Sequence, residues 1–201
     1  MRDMLLRRKV VLAVVDPRKF YLLAEGMRSL GINFSIPEAL PFVCSEEELV
    51  LLDEDREDMA TGDCEKVLVK STEKNFIMSL LPRVSGKMAF DELAVGVDLG
   101  LNSAYVVYGD GLLLLKGKVA IEKLSRTLKE ISMIPHERMI VWIGSWTGGE
   151  EMWNVVGEIL ELGGISIEIV DEYGTSRNSL EREKDPDLRA AKLILKRGRG
   201  K

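Results

Sequence analysis

The chain has little of what nucleophilic and zinc enzymes usually rely on. Among its 201 residues there is one histidine, His136, and there are two cysteines, Cys44 and Cys64. A zinc site takes three or four nitrogen, sulfur or oxygen ligands, so the usual Cys/His zinc sites are not expected. A Ser-His-Asp hydrolase would have to use His136. In Ile134-Pro135-His136-Glu137 that residue reads as a solvated turn between a helix and a strand. Two cysteines do not make a disulfide framework, and neither belongs to a Cys-x-x-Cys pair. No apolar run approaches the roughly 20 residues needed to span a bilayer. The apolar stretch Val10 to Val15 is shorter than a signal-peptide core, and no small-residue cleavage site follows it. The expectation is a cytoplasmic protein with no membrane partner. Acidic residues outnumber basic ones, 33 to 28, for a net charge of −5. That balance argues against coating nucleic acid through a broad basic face.

What is present is an ordinary globular apolar fraction, 46%, in which helical and extended patterns alternate along the whole length. This is the signature of an α/β protein. Lys9 to Val15 reads as a buried strand, and Asp16-Pro17 starts a helix near Lys19 to Leu30 that Gly31 ends. Ile32 to Ile36, Leu49 to Leu52 and Val67 to Val69 are candidate strands. The acidic run Asp53 to Asp58 reads as a solvated loop, and Phe76 to Leu81 as a short helix or strand. The pattern weakens around Ser85-Gly86, which sets a boundary at about residue 88. Residues 1–88 then form a small α/β domain of Rossmann-like or receiver-like sort. Asp16 ends its first strand, but no glycine fingerprint or acidic pair marks nucleotide binding or phosphotransfer. A domain that binds an unknown partner or dimerises is the reading left.

Residues 89–201 are more clearly patterned. Leu93 to Val97 is a strand ending at Asp98-Leu99-Gly100, and Ser103 to Tyr108 and Leu112 to Ala120 flank a Gly109-Asp110-Gly111 hairpin turn. Ile121, Leu124, Leu128 and Ile131 mark a helix. Met139 to Ile143 is a fourth strand, followed by the glycine-rich loop Gly144 to Gly149. Glu150 to Leu162 is a helix, and Ile165, Ile167 and Ile169 alternate in a fifth strand that ends at Asp171-Glu172. Asp185-Pro186 caps a last helix, since aspartate suits the N-cap and proline the first helical position.

Acids fall at comparable places here. Asp98 ends the first strand, Asp171 and Glu172 end the fifth, and Asp187 lies in the first turn of the last helix. Ligands gather beyond the carboxyl ends of strands in α/β sheets, so such acids can converge. Oxygen ligands of this kind suit Mg²⁺ or Mn²⁺, and two ions about 4 Å apart can activate water against a phosphodiester. Gly100 would let a phosphate backbone approach closely. The same acids also have plain roles, Asp187 as a first-turn acid favoured by the helix dipole.

Taken in order, these motifs resemble the RNase H-like superfamily, specifically the YqgF-type Holliday-junction resolvases, relatives of the RuvC resolvases. The resemblance rests on Val95-Gly96-Val97-Asp98-Leu99-Gly100, Ile140-Val141-Trp142-Ile143-Gly144, Asp171-Glu172-Tyr173-Gly174-Thr175-Ser176 and Asp187-Leu188-Arg189-Ala190-Ala191. It covers roughly residues 93 to 197 and implies a mixed five-stranded RNase H-like sheet with flanking helices. It further implies catalytic, metal-binding Asp98, Glu172 and Asp187, with Asp171 as a neighbour or alternative ligand. The activity implied is divalent-metal-dependent hydrolysis of phosphodiesters in structured DNA or RNA, by a homodimer if two strands are cut symmetrically. Tyr173 replaces the family arginine, and Gly144-Ser145 stand where RuvC relatives carry a glutamate. A non-catalytic RNase H-like scaffold that binds nucleic acid or protein is the alternative.

An actin-like or sugar-kinase ATPase shares the phrase Gly96 to Ser103 but needs two such domains, and the first unit does not match. Candidate nucleic-acid contacts are Trp146, beside the presumed site, and Lys196, Arg197 and Arg199 in the basic tail. That tail also reads as a disordered end. Trp142 and Trp153 read as core.

Overall fold

The structure is a computed structural model that describes residues 8–144, 150–171 and 183–200, the side chains of 150–152 excepted. The chain divides into two compact units, Met1–Ala89 and Phe90–Lys201.

In the first unit the apolar run after Arg8 becomes β1 (Lys9–Ala13), followed by α1 (Pro17–Ser29), β2 (Phe34–Ser35), β3 (Phe42–Cys44), β4 (Glu48–Asp53), β5 (Ala60–Gly62), β6 (Glu65–Val69) and α2 (Lys74–Val84). Four strands form a parallel sheet in the order β2-β1-β4-β6. Alternation along β1 and β4 sends Val11, Ala13, Val50 and Leu52 to one face. There they pack with Cys44 and Ala60 of the small parallel β3–β5 ribbon. On the other face α1 and α2 meet closely, the Ile77 side chain lying against Gly26. Such two-sided burial explains why β1 and β4 read as continuous apolar runs.

Two expectations change in this unit. Cys44 and Cys64 form a disulfide with Cα atoms 5.6 Å apart. Their separation of 20 residues encloses two whole strands, β4 and β5, and offers no spacing signal. The parallel pairing of Cys44 with Gly62 is what brings the second cysteine close. Disulfides persist chiefly in oxidising compartments, so this bond and a reducing cytoplasm pull in opposite directions. Asp53 does not begin a solvated loop: it is the last residue of β4 and is buried. The acidic stretch after it includes a short 3-10 turn, Glu57–Met59.

The second unit contains β7 (Phe90–Asp98), β8 (Asn102–Gly109), β9 (Leu112–Ala120), α3 (Leu124–Ile131), β10 (His136–Gly144), α4 (Glu150–Glu161), β11 (Ile165–Val170) and α5 (Pro186–Arg199). Its sheet runs β11-β10-β7-β8-β9. β7, β10 and β11 are parallel, and β8 is antiparallel to both β7 and β9. This is a mixed five-stranded sheet flanked by helices, compatible with an RNase H-like fold, as the sequence led us to expect. The β8–β9 turn is tight because Asp110 and Gly111 both take positive φ, 47° and 84°, the conformation that matches strand twist in two-residue hairpins.

Helix α5 lies on one sheet face, with Ala191, Ile194 and Leu195 packed on Ala94, Ala104, Val106, Trp142 and Val170. It approaches so closely that a Cβ on Gly96 would stand 2.2 Å from the Ala191 carbonyl oxygen. Trp142 is core as expected, its indole N–H donating to Glu168 at 3.0 Å. Trp153 is not core. It is 58% exposed, turned away from the buried stripe of Val155, Val156 and Ile159 on α4. His136 opens β10 rather than sitting in a turn, because that strand pairs with β7 from its first residue, His136 opposite Phe90. The basic C-terminal segment is the last turn of α5 through Arg199, not a disordered tail.

Candidate functional site

Strand register assembles the site. Asp98 ends β7 and lies opposite Ala104 of β8, which lies opposite Lys118 of β9. Residues directly opposite in antiparallel pairs share a face, and Ala104 packs under α5. Asp98 and Lys118 therefore stand in one row on the α5 face, about 10 Å apart at two strand spacings.

The start of α5 comes down on this row. Asp185 is its N-cap, accepting from the N–H of Asp187 at 3.0 Å and of Leu188 at 3.3 Å, with Pro186 in the first turn. The Lys118 ammonium bridges Asp185 and Asp187, with Nζ 2.8 and 2.7 Å from their Oδ2 atoms. One register step back along β9, Lys116 holds Glu183 at 2.5 Å. The Lys118 hydrogen bond holds the Asp185 carboxyl below its ordinary value, and the Asp185 and Asp187 carboxylates hold the Lys118 ammonium above its own. Lys116 does the same for Glu183, lowering it.

The loop after Asp98 is closed by Ser103, whose buried hydroxyl donates to the Gly100 carbonyl at 3.0 Å. A Cβ on Gly100 would meet only the Asn102 carbonyl, at 3.8 Å. Packing within the chain does not require glycine there, and the space is open to a ligand.

The other candidates are placed as follows. Asp171 is exposed just beyond β11, and its backbone carbonyl accepts from Arg197 at 2.9 Å. Arg199 pairs with Glu92 of β7, which also pairs with Arg138 at 2.9 Å. Arg197 and Arg199 thus tie the end of α5 to the sheet, and Lys196 is on the exposed side of the helix. Glu172 and Trp146 lie outside the described residues. Among the described residues no three His, Cys, Asp or Glu side chains group closely enough to hold a metal ion. The donor chemistry nonetheless suits a hard cation: Asp98 and Asp187 bring carboxylate oxygens to the same end and face of the sheet, where Mg²⁺ and Mn²⁺ prefer oxygen.

Sequence reading missed Lys118 and Lys116. Their signal was present, because Leu114, Lys116 and Lys118 alternate onto one face of β9 and Leu114 is buried. Two lysines continuing a buried face imply partners that reach over the sheet. Also missed was Asp53 in the first unit. Its carboxylate accepts from the backbone N–H of Val15 at 2.7 Å, next to Asp16, so an acidic pair does exist there.

No family model matches the chain, and no curated protein matches it in sequence. Among solved structures, the Argonaute of Marinitoga piezophila, in complex with 5′ OH guide RNA and target DNA, is similar with a TM-score of 0.32 and 11% identity. The likeness covers 82% of this chain and 39% of that one. At that TM-score it carries no argument about function.

Proposed function

We propose that the second unit is a divalent-metal-dependent nuclease that hydrolyses phosphodiester bonds in structured nucleic acid. The observation that carries this reading is the common row and face of Asp98 and the Lys118–Asp187 pair at the carboxyl end of the first strand. Asp98, Asp187 and Glu172 would hold Mg²⁺ or Mn²⁺, with Asp171 beside them. When bound, such an ion supplies an activated water and neutralises phosphate charge.

The chain's own part is positional. Asp98 is fixed by its strand, and Asp187 by the Asp185 cap and by Lys118. Gly100 leaves room for a phosphate backbone. Trp146 would stack an unpaired base. Symmetric cutting of two strands would call for a homodimer.

One observation favours a second reading. The Lys118 ammonium already neutralises Asp187 without a metal, as a non-catalytic scaffold would arrange it. Cleavage of labelled four-way-junction, single-stranded and duplex DNA and RNA, with Mg²⁺ or Mn²⁺, separates the two readings. The nuclease cuts, and Asp98→Asn abolishes cutting. A scaffold binds the junction, leaves it intact, and binds it equally well as Asp98→Asn.

A further inference from the structure

We propose that the carboxyl ends of β1 and β4 in the first unit form a separate site for one divalent cation of the Mg²⁺ class. The site is built on Asp53 and Asp16 and occluded by Lys19. All three residues belong to the first unit, so the proposal does not rest on the nuclease reading.

The topology points to this place first. The chain leaves β1 for β2 on one side of the sheet and leaves β4 for β6 on the other. The crevice between such strands, at their carboxyl ends, is where open α/β sheets take ligands. Asp53 stands there as the last residue of β4, opposite Val69 of β6. It alternates with Leu49 and Leu51, on the face opposite the ribbon.

The second observation is an oxygen without a donor. The Asp53 side chain is only 8% exposed. Its Oδ2 accepts from the N–H groups of Val15 and Asp16, at 2.7 and 3.4 Å. Its Oδ1 is buried and accepts no hydrogen bond. The Lys19 ammonium stands 3.8 Å from Oδ1, close enough for attraction and too far for a hydrogen bond. Buried carboxylate oxygens are normally satisfied, so this one marks a place for something that binds oxygen.

Helix capping does not explain it. Asp16 already caps α1, its Oδ1 accepting from the N–H of Arg18 at 2.8 Å and of Lys19 at 2.9 Å. Those bonds keep the Asp16 carboxyl ionised, below its ordinary value. Two carboxylates thus flank the crevice, with the Lys19 ammonium beside the Asp53 one.

The donor set selects the ligand. Mg²⁺ characteristically uses one or two carboxylates and keeps several waters, which is what Asp53 and Asp16 beside an exposed helix start can offer. Zinc would want nitrogen or sulfur donors, and both cysteines of this unit are taken by the disulfide. Lys19 has a flexible, half-exposed side chain that can swing into water. The incoming ion then puts two positive charges where the ammonium put one.

The test is calorimetric titration of the full chain with Mn²⁺, in a background carrying Asp98→Asn and Asp187→Asn so that the second unit's acids do not contribute. One Mn²⁺ should bind. Lys19→Met removes the competing charge and should tighten binding about tenfold. Asp16→Asn keeps the cap, since asparagine caps as well as aspartate, and should weaken binding by a similar factor. Asp53→Asn should abolish it. Failure of the background chain to bind Mn²⁺ would overturn the proposal, as would binding indifferent to the Lys19 and Asp16 variants. Both of those are surface changes that leave the fold intact.

Discussion

The two units start their principal helices with the same dipeptide. Asp16-Pro17 opens α1 and Asp185-Pro186 opens α5. In both, the aspartate caps through its side chain and a lysine sits against a nearby carboxylate. The difference lies in whether the lysine belongs to the capped helix or to a distant strand. Around α1 the lysine is on the helix itself, and the strand-end acid, Asp53, is buried against the helix start. Around α5 the lysine comes from edge strand β9, 67 residues before the N-cap by sequence number, and its carboxylates stay about half-exposed. A local cap is sealed by the backbone that follows the strand. A lysine brought from a distant strand has to be placed by the sheet, and it leaves charged groups facing water at a strand's carboxyl end. The same local signal therefore yields a closed crevice in one unit and an open acidic row in the other.

The comparison can be broken most strongly at the disulfide. The closed crevice of the first unit lies at the end of β4, and β4 lies inside the loop that Cys44–Cys64 closes. A cross-link around a loop of this size restricts the unfolded chain by about 3 kcal/mol. Replacing both cysteines with serine should lower the stability of the first unit by about that amount and leave the second unit unchanged. Denaturant unfolding followed by the tryptophan fluorescence of the second unit, alongside hydrogen exchange in β1 and β4, would show it. An equal loss in both units would mean that they unfold as one.

A smaller effect is expected where α5 meets the second sheet. Gly96 has no room for a side chain, because a Cβ would press on the Ala191 carbonyl and stand 2.7 Å from the Leu195 Cβ. Backbone cannot swing aside as a flexible side chain can. Gly96→Ala should cost about 1–3 kcal/mol, the range for overpacking a filled core. By tilting α5 it should also loosen the Lys118–Asp187 contact. Chemical denaturation gives the first effect, and the amide exchange of Asp187 and Leu188 gives the second.

How much of this was legible follows the same division between local and long-range contacts. The five-stranded unit was readable because each element carries its own signal: β7 through its apolar run, the hairpin through Asp110-Gly111, α3 through the spacing of Leu124, Leu128 and Ile131, and α5 through Asp185-Pro186. Asp98 and Asp187 were readable as strand-end and first-turn acids. Lys118 was not, because its importance comes from a three-strand register that no local window contains. Asp53 was hidden by the acids after it, which made a buried strand end look like the start of a solvated run. The β3–β5 ribbon was missed because three-residue strands carry no periodicity, and with it went the cysteine pairing.

The mildest test sharpens the comparison by pH. Glu183 precedes the α5 cap and is held by Lys116, and its carboxyl lies below its ordinary value, the Lys116 hydrogen bond being the main cause. A carboxyl lowered in the folded state adds stability at pH above its unfolded value, and that stability is lost as pH falls through the folded value. The start of α5 should therefore loosen only below the usual carboxylate range. Glu183→Gln should reduce that acid dependence to the part that Asp185 contributes, while leaving the neutral-pH fold in place. Amide exchange at Arg189, whose N–H donates to the Asp185 carbonyl at 3.0 Å, followed from neutral to strongly acidic pH in both proteins, measures it. If the two profiles coincide, the Lys116 pair does not hold the start of α5, and its anchoring rests on Lys118 and the cap alone.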